Sequence, residues 1–392
     1  LKVFSAPEKG GFHGAEQALK HPWLLTGRTA FYHREEENEW MKKKGIVLAL
    51  VTALCTAALA GCGGGSDSGE KLYLYNWTEY IPQEVYDAFE EETGIEVIES
   101  TFSSNEEMLA KLTAGGTDQY DMVVASNYVI KAMQEQGLIQ ELDKTQLENL
   151  GNISEAALGM DFDPENQYSI PFMGGITVIA VNTKMCQELG VTIESFNDLL
   201  NPALENNMVV VDDVREIVGI ALKAQGQDSN TTDQATIEGT LPWLKQLVPN
   251  IKAYDSDSPK TLLASNEVAV GVVYNIDAGM AINENPDIDV VFTEEPCEMS
   301  MDNFVLTSGA QNVENAMKFI DFVHRPDIYK MILDVFPGVC ANDAALEIMD
   351  SRYLDNPGSN VDQSEIARAN LIEEVGDAVT YYDDVFTQMK TN

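Results

Sequence analysis

Strand-like runs and helical patterns alternate along residues 70–392, and this alternation constrains the fold more than any other feature of the sequence. Residues 72–76 read as a strand. Residues 83–92 read as a helix with Val85 and Phe89 on one face, closed by Gly94. A second strand is expected at 95–101. Ser104-Asn105-Glu106-Glu107 then reads as a capping box, opening a helix with Met108, Leu109 and Leu112 inward. Residues 121–125 form a third strand. Another set follows, with strands at 176–182, 208–211, 268–274, 288–292 and 301–307 and a helix at 213–224. From residue 312 onward the patterns are helical, at 312–323, 326–334, 341–350 and 371–390. Strand–helix–strand spacing of this kind predicts parallel sheets covered by helices. Two such sets predict an α/β body of two lobes with a cleft between them. Short extended stretches near 173–178 and 298–303 are the candidate crossovers, and two of them make a hinge.

Residues 1–69 do not follow this alternation. Met41 is followed by three lysines, an apolar run from Ile46 to Ala60, and Leu59-Ala60-Gly61-Cys62. This is a signal-peptide pattern over 41–61, too short to span a membrane comfortably. Leu-Ala-Gly-Cys resembles a bacterial lipobox, which implies cleavage before Cys62 and a lipid on its sulfur. Residues 1–40 then read as a non-native upstream extension. Residues 62–69, rich in Gly and Ser, read as a flexible tether holding the body off the membrane surface.

Residues 1–61 hold 8 of the 24 Lys and Arg and 6 of the 64 Asp and Glu, which leaves the remainder with 16 basic and 58 acidic residues. A body this acidic repels nucleic acid and anionic lipid and attracts small cations. The chemistry of catalysis is thin. Beyond the signal segment there is one histidine, His324, at an expected helix end, where it reads as structural. No H-E-x-x-H, P-loop, G-x-S-x-G or dinucleotide fingerprint occurs. Cys186, Cys297 and Cys340 lack metal spacing, and their number allows at most one disulfide. No cofactor or metal is expected.

What the sequence does place is acids and rings at strand ends, the part of such sheets that faces a ligand. Trp77, Thr78, Glu79 and Tyr80 follow the first strand, and Ser126 and Tyr128 the third. Asp213 and Glu216 follow the strand at 208–211, and Tyr274 and Asp277 follow the apolar run at 268–273. Asp302 sits on a candidate crossover. A ring face beside a carboxylate is the chemistry that holds an organic cation. Each residue also has a plainer reading. Asp213 can be a helix cap, Glu216 and Asp277 first-turn acids, and Tyr128 and Tyr274 core rings.

The residues also carry a family resemblance. Asn76-Trp77-Thr78-Glu79-Tyr80, the run from Tyr120 to Tyr128, Tyr168-Ser169-Ile170-Pro171 and Asp212-Asp213-Val214-Arg215-Glu216 are similar to the polyamine (spermidine and putrescine) receptors of ABC importers. So are Asn230-Thr231-Thr232-Asp233, Met301-Asp302 and His324-Arg325-Pro326-Asp327. The resemblance implies a type II periplasmic-binding-protein fold with a hinged interlobe cleft. It implies lobe 1 from 70–175 plus 302–345, and lobe 2 from 178–300 plus 346–392. Carried over, Trp77, Thr78, Glu79 and Tyr80 form one wall with Ser126 and Tyr128 beside them. Asp213, Glu216 and Asp302 pair with ammonium groups, Tyr274 stacks on the methylene chain, and Asp277 matches an acid of the putrescine-type members. The implied partners are a polyamine and an ABC permease, for a monomer that meets the membrane only through the lipid on Cys62.

Three positions depart from the spermidine pattern: Ser300 in place of a Trp, Phe336-Pro337-Gly338 in place of a stretch with a Tyr, and Ile372 near an expected Gln. These leave the choice of polyamine open. Other readings of the same residues are the same fold holding an amino acid, amino-sugar or metal ion, a glycoside hydrolase using Asp213 and Glu216, and a surface adhesin.

Overall fold

The computed structural model describes residues 69–391. The upstream extension, the signal pattern, Cys62 and the tether through Ser68 lie outside the described residues.

Strand β1 (Glu70–Trp77) leads through Pro82 into α1 (Gln83–Thr93). This helix buries Val85, Tyr86 and Phe89 and stops at Gly94, whose φ of 75° is a left-handed C-terminal cap. Next come β2 (Ile95–Phe102) and α2 (Asn105–Thr113). Ser104 caps α2 by accepting the Glu107 N–H. The Glu107 carboxylate turns to the Ser103 N–H, so the expected capping box closes one residue early. The first lobe continues with β3 (Met122–Ser126), α3 (Asn127–Glu135) and β4 (Ile139–Gln140). A 14-residue strand, β5 (Ser169–Asn182), then runs into the second lobe.

There the elements are α4 (Thr183–Leu189), β6 (Met208–Val210), α5 (Val214–Ala224), α6 (Gln234–Glu238), α7 (Leu241–Leu247), β7 (Ile251–Tyr254), α8 (Pro259–Ala264), β8 (Val270–Tyr274), α9 (Asn275–Glu284) and β9 (Ile288–Val291). Strand β10 (Glu298–Thr307) returns to the first lobe. It is followed by α10 (Val313–Val323), α11 (Pro326–Val335), β11 (Val339–Cys340), α12 (Asp343–Leu346), α13 (Ser351–Leu354), α14 (Gln363–Arg368), β12 (Asn370–Leu371) and α15 (Val379–Lys390).

The main path of strands runs β2-β1-β3-β10-β5-β8-β6-β7. Neighbours β1–β2, β1–β3, β6–β8 and β6–β7 are parallel, as the alternating pattern predicts. The two candidate crossovers are the middles of β5 and β10, which pair with each other antiparallel from Met299–Ile176 to Val305–Ser169. Beyond Ile176, β5 pairs instead with β8 and β9, while β10 pairs with β3 from Asp302 onward. Strand β5 therefore belongs to both half-sheets, while β10 pairs within the first and carries the chain back to it from the second. A register shift falls between Asp302 and Asn303, a bulge of the kind that re-aims a side chain.

Under the first half-sheet, Phe89, Phe172, Phe304 and Phe319 are fully buried in one cluster. Under the second, Val210, Leu222, Leu244 and Tyr382 form another, sealed by α15. Each such side chain contributes roughly 1.5–3 kcal/mol. His324 is buried, with its two ring nitrogens 2.7 and 2.8 Å from the carbonyl oxygens of Ile320 and Pro171. It ties α10 to β5, a structural role. The three cysteines are free. Two helical expectations are corrected. Of 341–350 only Asp343–Leu346 is α-helix. Of 371–390 the helix begins at Val379, because β12 pairs with β10 and Gly376 turns the chain at a φ of 54°.

Candidate functional site

The strand ends of both half-sheets converge on one cavity of about 810 Å³, part of it open to solvent. All eleven residues singled out in the sequence line it. Trp77 ends β1, and Thr78 to Tyr80 come from the loop after it. Glu79 holds a φ of 53° there, a left-handed conformation uncommon for a residue with a side chain.

Asp302, on the β10 bulge, accepts hydrogen bonds from the Tyr80 hydroxyl at 2.5 Å and the Ser126 hydroxyl at 2.6 Å. Burial pushes its carboxyl up to about 6, with the two hydroxyls opposing. Asn105 organises this side of the wall. Its amide donates to Ser126 Oγ and to the Tyr128 hydroxyl, at 3.1 and 2.6 Å.

Across the cavity, Asp213 combines its two readings. Its Oδ1 caps α5 by accepting the N–H groups of Arg215 and Glu216, while Oδ2 accepts the Tyr274 hydroxyl at 3.2 Å. Burial raises its pKa. Glu216, the first-turn acid, is 2% exposed, and its Oε2 is buried without a hydrogen-bond partner. Burial, then the charges of Asp213 and Glu298, hold its carboxyl well above the usual range. A buried carboxylate oxygen is most stable when a donor or a cation pairs with it.

A third acidic group lies where α8 and α9 begin. Asp277 is pushed up to about 7 by burial, with Lys260 opposing and Glu79 reinforcing. Lys260 pairs with Glu79 and lies 3.9 Å from Asp277. The Ser103 hydroxyl, from the first lobe, donates to Asp257 of the second at 2.7 Å. In all, six carboxylates (Glu79, Asp213, Glu216, Asp257, Asp277 and Asp302) and five aromatic rings (Trp77, Tyr80, Phe102, Tyr128 and Tyr274) line the cavity. Among the described residues Lys260 is the one basic side chain there.

Of the departures, Ser300 lines the cavity. Gly338 instead packs on Met173, whose Sδ would lie 2.4 Å from a Cβ at that position. Ile372 is buried, with its carbonyl taken by the Asn127 amide at 2.8 Å. Neither of these two is on the wall. Sequence reasoning missed Asn105, Asp257 and Lys260. Asn105 was absorbed into a helix cap. The Asp255-Ser256-Asp257-Ser258-Pro259-Lys260 loop is also a strand end, but β7 before it went unassigned.

Two half-sheets that share β5, with β10 returning the chain to the first of them and a carboxylate-lined cavity wall at the seam, define a solute receptor that closes on its ligand. Comparison with known proteins agrees. The chain belongs to the bacterial extracellular solute-binding protein family, which matches residues 84–357. It is 35% identical over 350 residues to the spermidine/putrescine-binding periplasmic protein of Salmonella typhimurium, covering 89% of this chain and 99% of that one. Among solved structures, it matches the spermidine/putrescine ABC transporter substrate-binding protein PotD of Streptococcus pneumoniae with a TM-score of 0.70 and 32% identity, over 82% of this chain and 98% of that one. The TpPotD lipoprotein of Treponema pallidum gives a TM-score of 0.73 and 27% identity, over 82% and 100%. The fold is the two-lobed periplasmic-binding-protein type, and the class is one of receptors rather than enzymes. Among the described residues no helix is long and apolar enough to cross a membrane.

Proposed function

We propose that this chain is an extracytoplasmic receptor that binds a polyamine, putrescine or spermidine, in the interlobe cleft and delivers it to an ABC importer. The observation that carries the reading is the cavity wall itself, with six carboxylates, five rings and a buried Glu216 oxygen without a partner. Each ammonium brings three donors and no acceptor, which is what these acids lack. Charge-assisted bonds to Asp302, Asp213 and Glu216 fix the ends, and Tyr128, Tyr274 and Trp77 cover the methylenes. Ser126 and Tyr80 orient Asp302, and Thr78 lines the wall beside them. The relatives named above support the polyamine class. The lobes are taken as 70–175 with 302–345, and 178–300 with 346–392. The chain is a monomer, held at the membrane by a lipid on Cys62. The lipobox pattern supports that anchor, as does the lipoprotein status of the Treponema pallidum relative.

Thermal unfolding tests the class. Putrescine or spermidine at 100 times its Kd stabilises by about 2.7 kcal/mol, so Tm rises by several degrees. A neutral diol of the same length gives no shift. Equal behaviour of amines and diol, in protein stripped of ligand, contradicts the reading.

The raised pKa values give a pH dependence whose two signs are opposite. An ammonium ligand needs Asp302 ionised, so affinity falls as pH drops through about 6. Between pH 7 and 5 the loss is at least about tenfold, and larger if Asp213 and Glu216 titrate too. The empty protein behaves the other way. A carboxyl with its folded pKa above its unfolded value binds its proton more tightly when folded. Its contribution to stability therefore improves as pH falls from about 6 toward 4. Calorimetric Kd values at pH 5, 6 and 7 check the first sign, and ligand-free melting curves the second.

A further inference from the structure

The acids of the cleft fall into three groups rather than two. Asp302, on β10, stands with Tyr80 and Ser126. Asp213 and Glu216 stand with Tyr274 at the start of α5. Glu79 and Asp277 form the third group, and they already have a cation. The Lys260 ammonium pairs with Glu79 and sits 3.9 Å from Asp277, on a side chain only 12% exposed.

The pair is half-buried, with the Lys260 side chain 12% exposed and that of Glu79 47%. Glu79 is delivered by a strained left-handed backbone at the tip of the first lobe's loop. Lys260 comes from the second lobe, so the bond crosses the cleft. Beside it the Ser103–Asp257 hydrogen bond crosses as well, from the same 255–260 loop. The closed cleft therefore brings its own ammonium to its third acidic group. An incoming ammonium there must displace Lys260 from Glu79 and Asp277 or sit beside a cation of its own sign in a partly buried space, a costly arrangement.

We propose that Lys260 is a resident cation that fills the third acidic station of the cleft, so that the cavity takes a diamine and disfavours the third ammonium of a triamine. This rests on the polyamine reading above and fixes the ligand's charge count within it. A two-ammonium chain has its ends at Asp302 and at Asp213 with Glu216. A three-ammonium chain leaves one end competing with Lys260. The small Ser300 on the wall does not substitute for Lys260, because it brings no charge.

The test is calorimetry with putrescine and spermidine on the wild-type protein, Lys260→Gln and Lys260→Arg. The wild type is expected to bind putrescine more tightly. In Lys260→Gln the preference moves toward spermidine by about tenfold, the size of one charge-assisted contact. Lys260→Arg keeps a cation in place and keeps the wild-type ratio. A wild-type protein that prefers spermidine overturns the assignment without recourse to any variant. So does a ratio that Lys260→Gln leaves unchanged. Binding of neither amine by the stripped wild type defeats the polyamine reading itself, and the assignment with it.

Discussion

Asp302→Asn weakens polyamine binding by roughly 30- to 150-fold, the equivalent of about 2–3 kcal/mol for removing one side of a desolvated charge pair. The substitution is isosteric, so the fold has little to adjust. The Tyr80 and Ser126 hydroxyls donate to Asp302. An asparagine carbonyl accepts one of them, and the other hydroxyl rotates to accept from the new amide. Ser126 also retains the Asn105 amide. What is lost is the negative charge, and only an ammonium notices that loss. The expected outcome is a large rise in Kd with an unchanged or slightly higher ligand-free Tm. An unchanged Kd in calorimetry removes Asp302 from the ligand's contacts.

Glu216→Gln is expected to split stability from binding. In the empty protein the Glu216 carboxyl is 2% exposed and has one oxygen without a partner. It also faces the charges of Asp213 and Glu298. Behind it the buried Lys223 ammonium is already engaged, 3.0 Å from Glu298 and bonded to the carbonyls of Pro296 and Cys297. A neutral amide at 216 relieves the repulsion. The ligand-free protein gains about 1 kcal/mol, a rise of about 2 °C at neutral pH for a body this large. The gain vanishes near pH 4, where wild-type Glu216 is protonated in both states. Polyamine affinity falls at least about tenfold at the same time, since the ammonium loses its charged partner. A variant that loses both stability and affinity shows instead that Glu216 is part of the scaffold.

The opposite signs belong to one design. A receptor that gathers acids without counter-ions is destabilised when it closes empty, and relieved when a polycation enters. Ligand therefore favours the closed state by differential affinity.

Much of this was legible in the sequence because strand ends are. The apolar runs at 72–76, 121–125, 208–211 and 268–274 located β1, β3, β6 and β8, and the acids and rings just after them reach one cavity. Ser126, Asp213 and Tyr274 are examples in which a local role and a place on the wall coincide. The rest was hidden for physical reasons. Apolar pattern does not show how long a strand runs when both its halves are buried, so β5 and β10 looked like short strands with linkers. The half-exposed, four-residue β7 carries too little pattern to be seen, and the loop that delivers Lys260 was lost with it. Residues 371–378 follow a helical pattern, but pairing of Asn370 and Leu371 with β10 outweighs it. Glu79's ion pair spans 181 positions, and no local signal announces it.

The most direct measurement is a calorimetric titration of the protein, stripped of ligand by unfolding and refolding, with putrescine at pH 7.5. The account predicts one site per chain, affinity that falls with rising salt, and loss of the signal in Asp302→Asn. Absence of saturable heat with putrescine and with spermidine, in refolded protein that melts cooperatively, contradicts it.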